Sequence, residues 1–141
     1  MKKLLITSAF TLSLVFLLSS FSKVQASTFE KSKLIGTWEQ CDSLGNSVET
    51  GMGITKYKII TPETFTVIQG YKEKGIFGGI FFGSYLLEND IYTEILTYTD
   101  PQMLSIKGTK NLFYIVFDND LMHINGINNP YKQVWKKVVK L

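Results

Sequence analysis

The chain has 141 residues, with 15 basic residues, all of them lysine, against 12 acidic residues, one histidine and one cysteine. Its formal charge of +3 points to an anionic partner only until residues 1–26 are read. Lys2 and Lys3 precede an apolar run over 4–18, and small and polar residues then lead to Val24-Gln25-Ala26, the layout of a secretory signal cleaved before Ser27. Cleavage removes Lys2, Lys3 and Lys23 and brings the lysines level with the 12 acidic residues, which excludes the basic excess of a nucleic-acid binder.

Thr7, Ser8, Thr11 and Ser13 interrupt the apolar run, so it reads as a cleaved signal rather than a membrane span. The expected location is therefore periplasmic or secreted. Residues 27–141 are expected to form one domain. The lone Cys41 lies well past the cleavage point, which leaves no lipid-anchor cysteine and no internal disulfide. It reads as a small buried hydrophobe.

Beyond a polar lead over 27–32, apolar segments of strand length fall at 33–40, 53–60, 64–70, 79–88, 91–98, 110–117, 121–125 and 131–138. Tight connections join them: Thr61-Pro62-Glu63, Glu88-Asn89-Asp90, Asp118-Asn119-Asp120 and Gly126-Ile127-Asn128-Asn129-Pro130. Such spacings join antiparallel neighbours and leave no room for crossover helices. A short helix fits only in the lead or over 101–106. The reading is all-β: an eight-stranded antiparallel up-and-down barrel, whose closure removes the edges that an Ile-, Phe- and Tyr-rich sheet would expose. A two-sheet sandwich is the alternative, with 71–78 and 99–109 as its crossing connections.

Gly36-Thr37-Trp38 on the first strand and Trp135-Lys136-Lys137 on the last resemble the pattern of the lipocalin and calycin superfamily. Gly83-Ser84-Tyr85-Leu86-Leu87, Tyr92-Thr93-Glu94 and the ending from Pro130 to Val138 are similar to exported bacterial lipocalin-like domains of unknown function. The resemblance implies a barrel that holds a small apolar molecule, and it carries no assigned activity. Gly36, Trp38, Trp135 and Lys137 then serve barrel closure, with Lys137 over the Trp38 ring in a cation–π contact. Lipocalins commonly place arginine there; this chain has none.

Catalytic constellations are absent from the sequence. His123 and Cys41 lie far apart and no residues show metal-ligand spacing, so no metal or cofactor is expected. No Gly-x-Ser-x-Gly elbow exposes a serine, and Gly75-Ile76-Phe77-Gly78-Gly79 has neither the lysine nor the helix of a phosphate loop. It reads as a bend with Ile76 and Phe77 at an apolar tip. The chain is not expected to be an enzyme.

Alternation places Glu94 and His123 on inner faces, through Tyr92-x-Glu94-x-Leu96-x-Tyr98 and Leu121-x-His123-x-Asn125, and Gln133 joins them on the last strand. Two readings fit. In one, these groups satisfy one another in a packed interior, with Glu94 on Lys137 or on tyrosine hydroxyls. In the other, they anchor a ligand in a cavity walled by Tyr57, Tyr85, Tyr92 and Phe113. The corresponding functions are a small-molecule binder and an interaction or inhibitor protein that uses its loops, the apolar stretch over 71–79 above all. A haem-type binder with His123 as axial ligand is a third, narrower reading. Interior volume separates the first two.

Overall fold

The computed structural model describes residues 30–49, 53–71 and 73–138; the signal expected over 1–26 lies outside them. Eight strands follow a short helix α1 (Lys31–Leu34): β1 (Gly36–Cys41), β2 (Ile54–Ile60), β3 (Thr64–Tyr71), β4 (Ile76–Glu88), β5 (Ile91–Thr99), β6 (Lys110–Asp118), β7 (Leu121–Gly126) and β8 (Lys132–Lys137). Each pairs antiparallel with the next, and β1 pairs with β8 through Trp38 opposite Lys137 and Gln40 opposite Trp135. The sheet is a closed barrel, not a sandwich. A 3-10 helix, α2 (Pro101–Ile106), joins β5 to β6.

Local chemistry explains the connections. Asn89 and Asp90 both adopt positive φ, 49° and 64°, the mirror-image turn whose twist matches the flanking strands of a two-residue hairpin. Asp100 caps α2 by accepting from the Gln102 amide at 2.9 Å, and Pro101 supplies a first helical residue with no amide to satisfy.

Two expected boundaries are corrected. Residues 33–35 are not strand, because α1 folds under the barrel and places Leu34, fully buried, as a plug at that end. Gly36, at φ 143°, then turns the chain into β1. The β3–β4 bend is also shorter than expected. Gly75, at φ 60°, is part of a turn that ends at β4, so Ile76 and Phe77 pair with Tyr71 and Gly70 in a hairpin ribbon.

The topology gathers α1 and the turns over 61–63, 89–90 and 118–120 at one end of the barrel. That end is filled by Leu34, Trp38, Ile60, Phe65, Tyr92 and Met122, each no more than 2 % exposed. An eight-stranded barrel is only just wide enough for such side chains. The fit is close at Gly83, where a Cβ would meet the Ile95 carbonyl oxygen at 2.1 Å and the Phe65 ring at 2.9 Å. At the other end stand the loop after β1, the hairpin of β3 and β4, α2 and the loop before β8.

Candidate functional site

The closed end is tied by the first and last strands. The Trp38 indole N–H donates to the Leu34 carbonyl at 2.8 Å and fastens α1 to the barrel. The Lys137 ammonium lies 5.1 Å from the Trp38 ring centroid and donates to the Lys33 carbonyl at 3.4 Å. Gly36 leaves room for that lysine stem, since a Cβ there would sit 3.1 Å from Lys137 Cε. Lysine thus supplies the cation above the indole, as a point charge rather than a flat fork.

Midway along the barrel, Lys58 of β2 donates from Nζ to Glu94 Oε1 of β5 at 2.5 Å. Both side chains are almost wholly buried, at 3 % and 6 % exposure. Lys58 also lies 5.1 Å from the Trp135 ring centroid and 5.6 Å from that of Phe65. Buried charges persist only when paired and solvated by other dipoles, and here a carboxylate and two ring faces do this. The partner of Glu94 is therefore Lys58, not Lys137; alternation along β2 from inward Ile60 carries Lys58 and Lys56 inward as well.

Below this pair, Tyr92 packs on Tyr85 (ring centroids 5.2 Å apart) and on Phe113 (6.3 Å). The Tyr85 hydroxyl donates to the Thr61 carbonyl at 2.8 Å. The buried Tyr92 hydroxyl has no partner in hydrogen-bonding geometry. Burial first, and the charge of Glu94 second, hold its pKa well above the ordinary phenol value of 10.0.

Above the pair the barrel is hollow. A cavity of ≈ 310 Å³ opens toward the loop end, floored by Lys58, Glu94 and Trp135. Its wall on β8, β1, β2 and β3 carries Gln133, Gln40, Lys56 and Gln69. Ile80, Phe81, Leu96 and Phe113 line the other side, and Met103 and Ile106 of α2 complete that apolar wall. The Gln133 amide is oriented by the Trp135 indole N–H, which donates to its Oε1 at 3.1 Å. Its NH₂ group is thereby left as the donor end.

The structure brings Glu94, Phe113 and Gln133 together on the cavity. Tyr85 and Tyr92 belong to the filled half beneath it. Tyr57 and His123 are corrections. Tyr57 pairs with Glu39 and Ile68 on the outer face of the barrel and lines an external cleft with Thr55, Tyr71 and Phe77. His123 also faces outward, because β7 turns Met122 and Ile124 into the core, both fully buried. No haem-type ligation from inside the barrel is open to it. Among the described residues no group of three or more His, Cys, Asp or Glu side chains is placed to hold a metal ion. Cys41 is buried, and burial first and Asp42 second push its thiol pKa up, away from the thiolate.

Lys56, Lys58, Gln40 and Gln69 are cavity residues that the sequence motifs do not single out. The inward parity of Ile60 before the tight turn into β3 was the available signal for the two lysines, since residues two and four positions back share its face.

Eight antiparallel strands closed on themselves, a helix plugging one end and an indole–cation tie between first and last strands define a lipocalin-like barrel. A lipocalin-like protein from Bacteroides uniformis ATCC 8492 has a similar structure: TM-score 0.51 and 18 % identity, over 75 % of this chain and 99 % of that one. An uncharacterized protein from Bacteroides eggerthii DSM 20697 gives a TM-score of 0.49 at 17 % identity, over 74 % of this chain and 98 % of that one. At 18 % identity the likeness to the first of these concerns the fold alone. No family model matches the sequence. No curated protein matches it either. No helix among the described residues is long and apolar enough to cross a membrane.

Proposed function

We propose that this protein is exported and binds one small, largely apolar molecule in the open half of its barrel, without catalysing a reaction. The observation that carries the reading is the division of the interior. One half is packed with aromatic and aliphatic side chains; the other is a cavity of ≈ 310 Å³ with Glu94, Phe113 and Gln133 on its surface. That volume falls at the lower end of ligand pockets, about 300–1,000 Å³. Apolar walls with a few polar groups are also the usual composition of such pockets.

Native mass spectrometry of the protein purified from its own host tests the binding reading. A bound mass that disappears in Leu96→Trp, which fills the apolar wall, is the expected result. Absence of any bound mass, with no uptake of small amphiphiles by the purified protein, overturns it. The same spectra test export: the mature chain is expected to begin at Ser27 without an acyl group, and a retained Met1 contradicts this.

An interaction role draws on a different feature. Ile76 and Phe77, 52 % and 77 % exposed at the end of the β3–β4 ribbon, present an apolar tip to a protein partner.

A further inference from the structure

The charge inventory of the cavity narrows the ligand class, and this inference rests on the binding reading above. Three ionisable side chains from the barrel wall meet the cavity: Lys56, Lys58 and Glu94. Glu94 is taken by Lys58 at 2.5 Å, so those two charges cancel in the floor. Lys56 is left over. It lines the same cavity from one turn of the pleat higher on β2, and among the described residues no carboxylate lies within ion-pair distance of it. Its neighbours across the strands are amides: Gln69 is its register partner on β3, and Gln40 lies on the adjoining β1. The Gln133 amide, with its oxygen occupied by Trp135, adds N–H donors to the same region. Ile80, Leu96, Met103 and Ile106 form an apolar surface on β4, β5 and α2, while Asn111 of β6 and Tyr131 also line the cavity.

We infer that the ligand is an amphiphilic anion. Its acidic head is held by the Lys56 ammonium and the surrounding amides, and its apolar part lies against the β4, β5 and α2 wall. A neutral apolar molecule would leave Lys56 and these amides without partners when it displaced water from the cavity. A cation would be repelled by Lys56 and would find Glu94 already engaged. An anion meets donors on one wall and hydrocarbon on the other.

Three probes with the same eight-carbon chain test this: octanoate, 1-octanol and octyltrimethylammonium, titrated calorimetrically into the full-length mature protein. Octanoate is expected to bind about ten- to a hundredfold more tightly than octanol, the range spanned by a charge-assisted hydrogen bond. The ammonium probe should bind most weakly. Lys56→Gln should abolish most of the preference for octanoate over octanol while leaving the thermal midpoint unchanged. Lys56→Met should do the same to that preference. Equal affinities of octanoate and octanol in the wild-type protein, a preference for the cation, or an unchanged octanoate affinity in the two variants would overturn the anion assignment and leave the binding pocket standing. Failure of all three probes to bind would overturn the pocket along with it.

Discussion

Lys58 and Glu94, on strands three places apart in the barrel order, meet inside it at 2.5 Å with side chains 3 % and 6 % exposed. This pair divides the molecule. Beneath it the interior is closed by Trp38, Phe65, Tyr92 and Leu34; above it the interior opens. It also decides what removal of either charge does. An ion pair this deeply buried holds each partner in place, and breaking it strands a charge where water does not reach well.

Glu94→Gln is accordingly expected to destabilise the fold by about 3–5 kcal/mol, the cost of leaving one member of a buried pair unmatched. The double change Lys58→Met with Glu94→Leu should recover most of that loss. Urea unfolding of Lys58→Met, Glu94→Leu and the double, arranged as a cycle with the wild type, checks this. Additive losses would show that the two charges do not depend on one another.

His123→Gln is expected to do little. The residue sits on the outer face of β7, away from the cavity, and substitutions at such places fall within about 0.5 kcal/mol. The same unfolding measurement reads it, and ligand affinity should stay at the wild-type value. A large change in either would mean that β7 is shifted by one residue.

Alkaline pH should expose Tyr92. Its folded pKa stands well above 10.0, through burial first and the Glu94 charge second. The folded state therefore keeps a proton that the unfolded chain releases. The stability from this difference is complete below pH 10 and falls as pH rises beyond it, with a slope of up to about 1.4 kcal/mol per pH unit for one proton. Tyr92→Phe has no such proton, so its stability curve above pH 10 should run flatter than that of the wild type. Parallel curves would show that Tyr92 ionises as freely folded as unfolded.

The tie at the closed end has two testable parts. Trp38→Ala removes a buried indole and should cost about 3–5 kcal/mol. Lys137→Ala should cost less, about 0.5–2 kcal/mol, as the loss of one cation–π contact. Lys137→Arg should hold or raise the thermal midpoint, since a guanidinium lies flat on the ring and still reaches the Lys33 carbonyl. A lower midpoint for the arginine variant would mean that the space beside Gly36 is cut to the lysine stem.

Much of this architecture was readable in the order of residues. Turn chemistry at Asn89-Asp90 and Asp118-Asn119-Asp120 marks hairpins because few residues tolerate positive φ, and the short apolar segments between such turns exclude helices. Closure followed from the need to remove edges, and the meeting of Trp38 with Lys137 follows once first and last strands are neighbours. Glu94 and Gln133 were readable as inward because each shares a strand face with apolar residues, Tyr92 and Leu96 for the first and Trp135 for the second.

Tyr57 and His123 were not, and the reason is physical. Alternation divides a strand into two faces but does not say which one turns inward, and a one-residue shift exchanges every side chain between them. In β7, Leu121-His123-Asn125 competes with Met122-Ile124, and packing in the filled half selected the latter. In β2 the same choice lay between Tyr57 and the pair Lys56 and Lys58. Turning two lysines inward looks unfavourable from the sequence. Burial of Lys58 becomes favourable only when Glu94, 36 residues away, arrives from β5 and the Trp135 ring from β8. The sequence by itself therefore determined the eight strands, their turns and the tie that closes them, because those depend on neighbours along the chain or on one pairing. The tertiary structure alone decided the parity of β2 and β7, the ion pair and the unmatched cation in the cavity, because each depends on side chains that meet only after the barrel has closed.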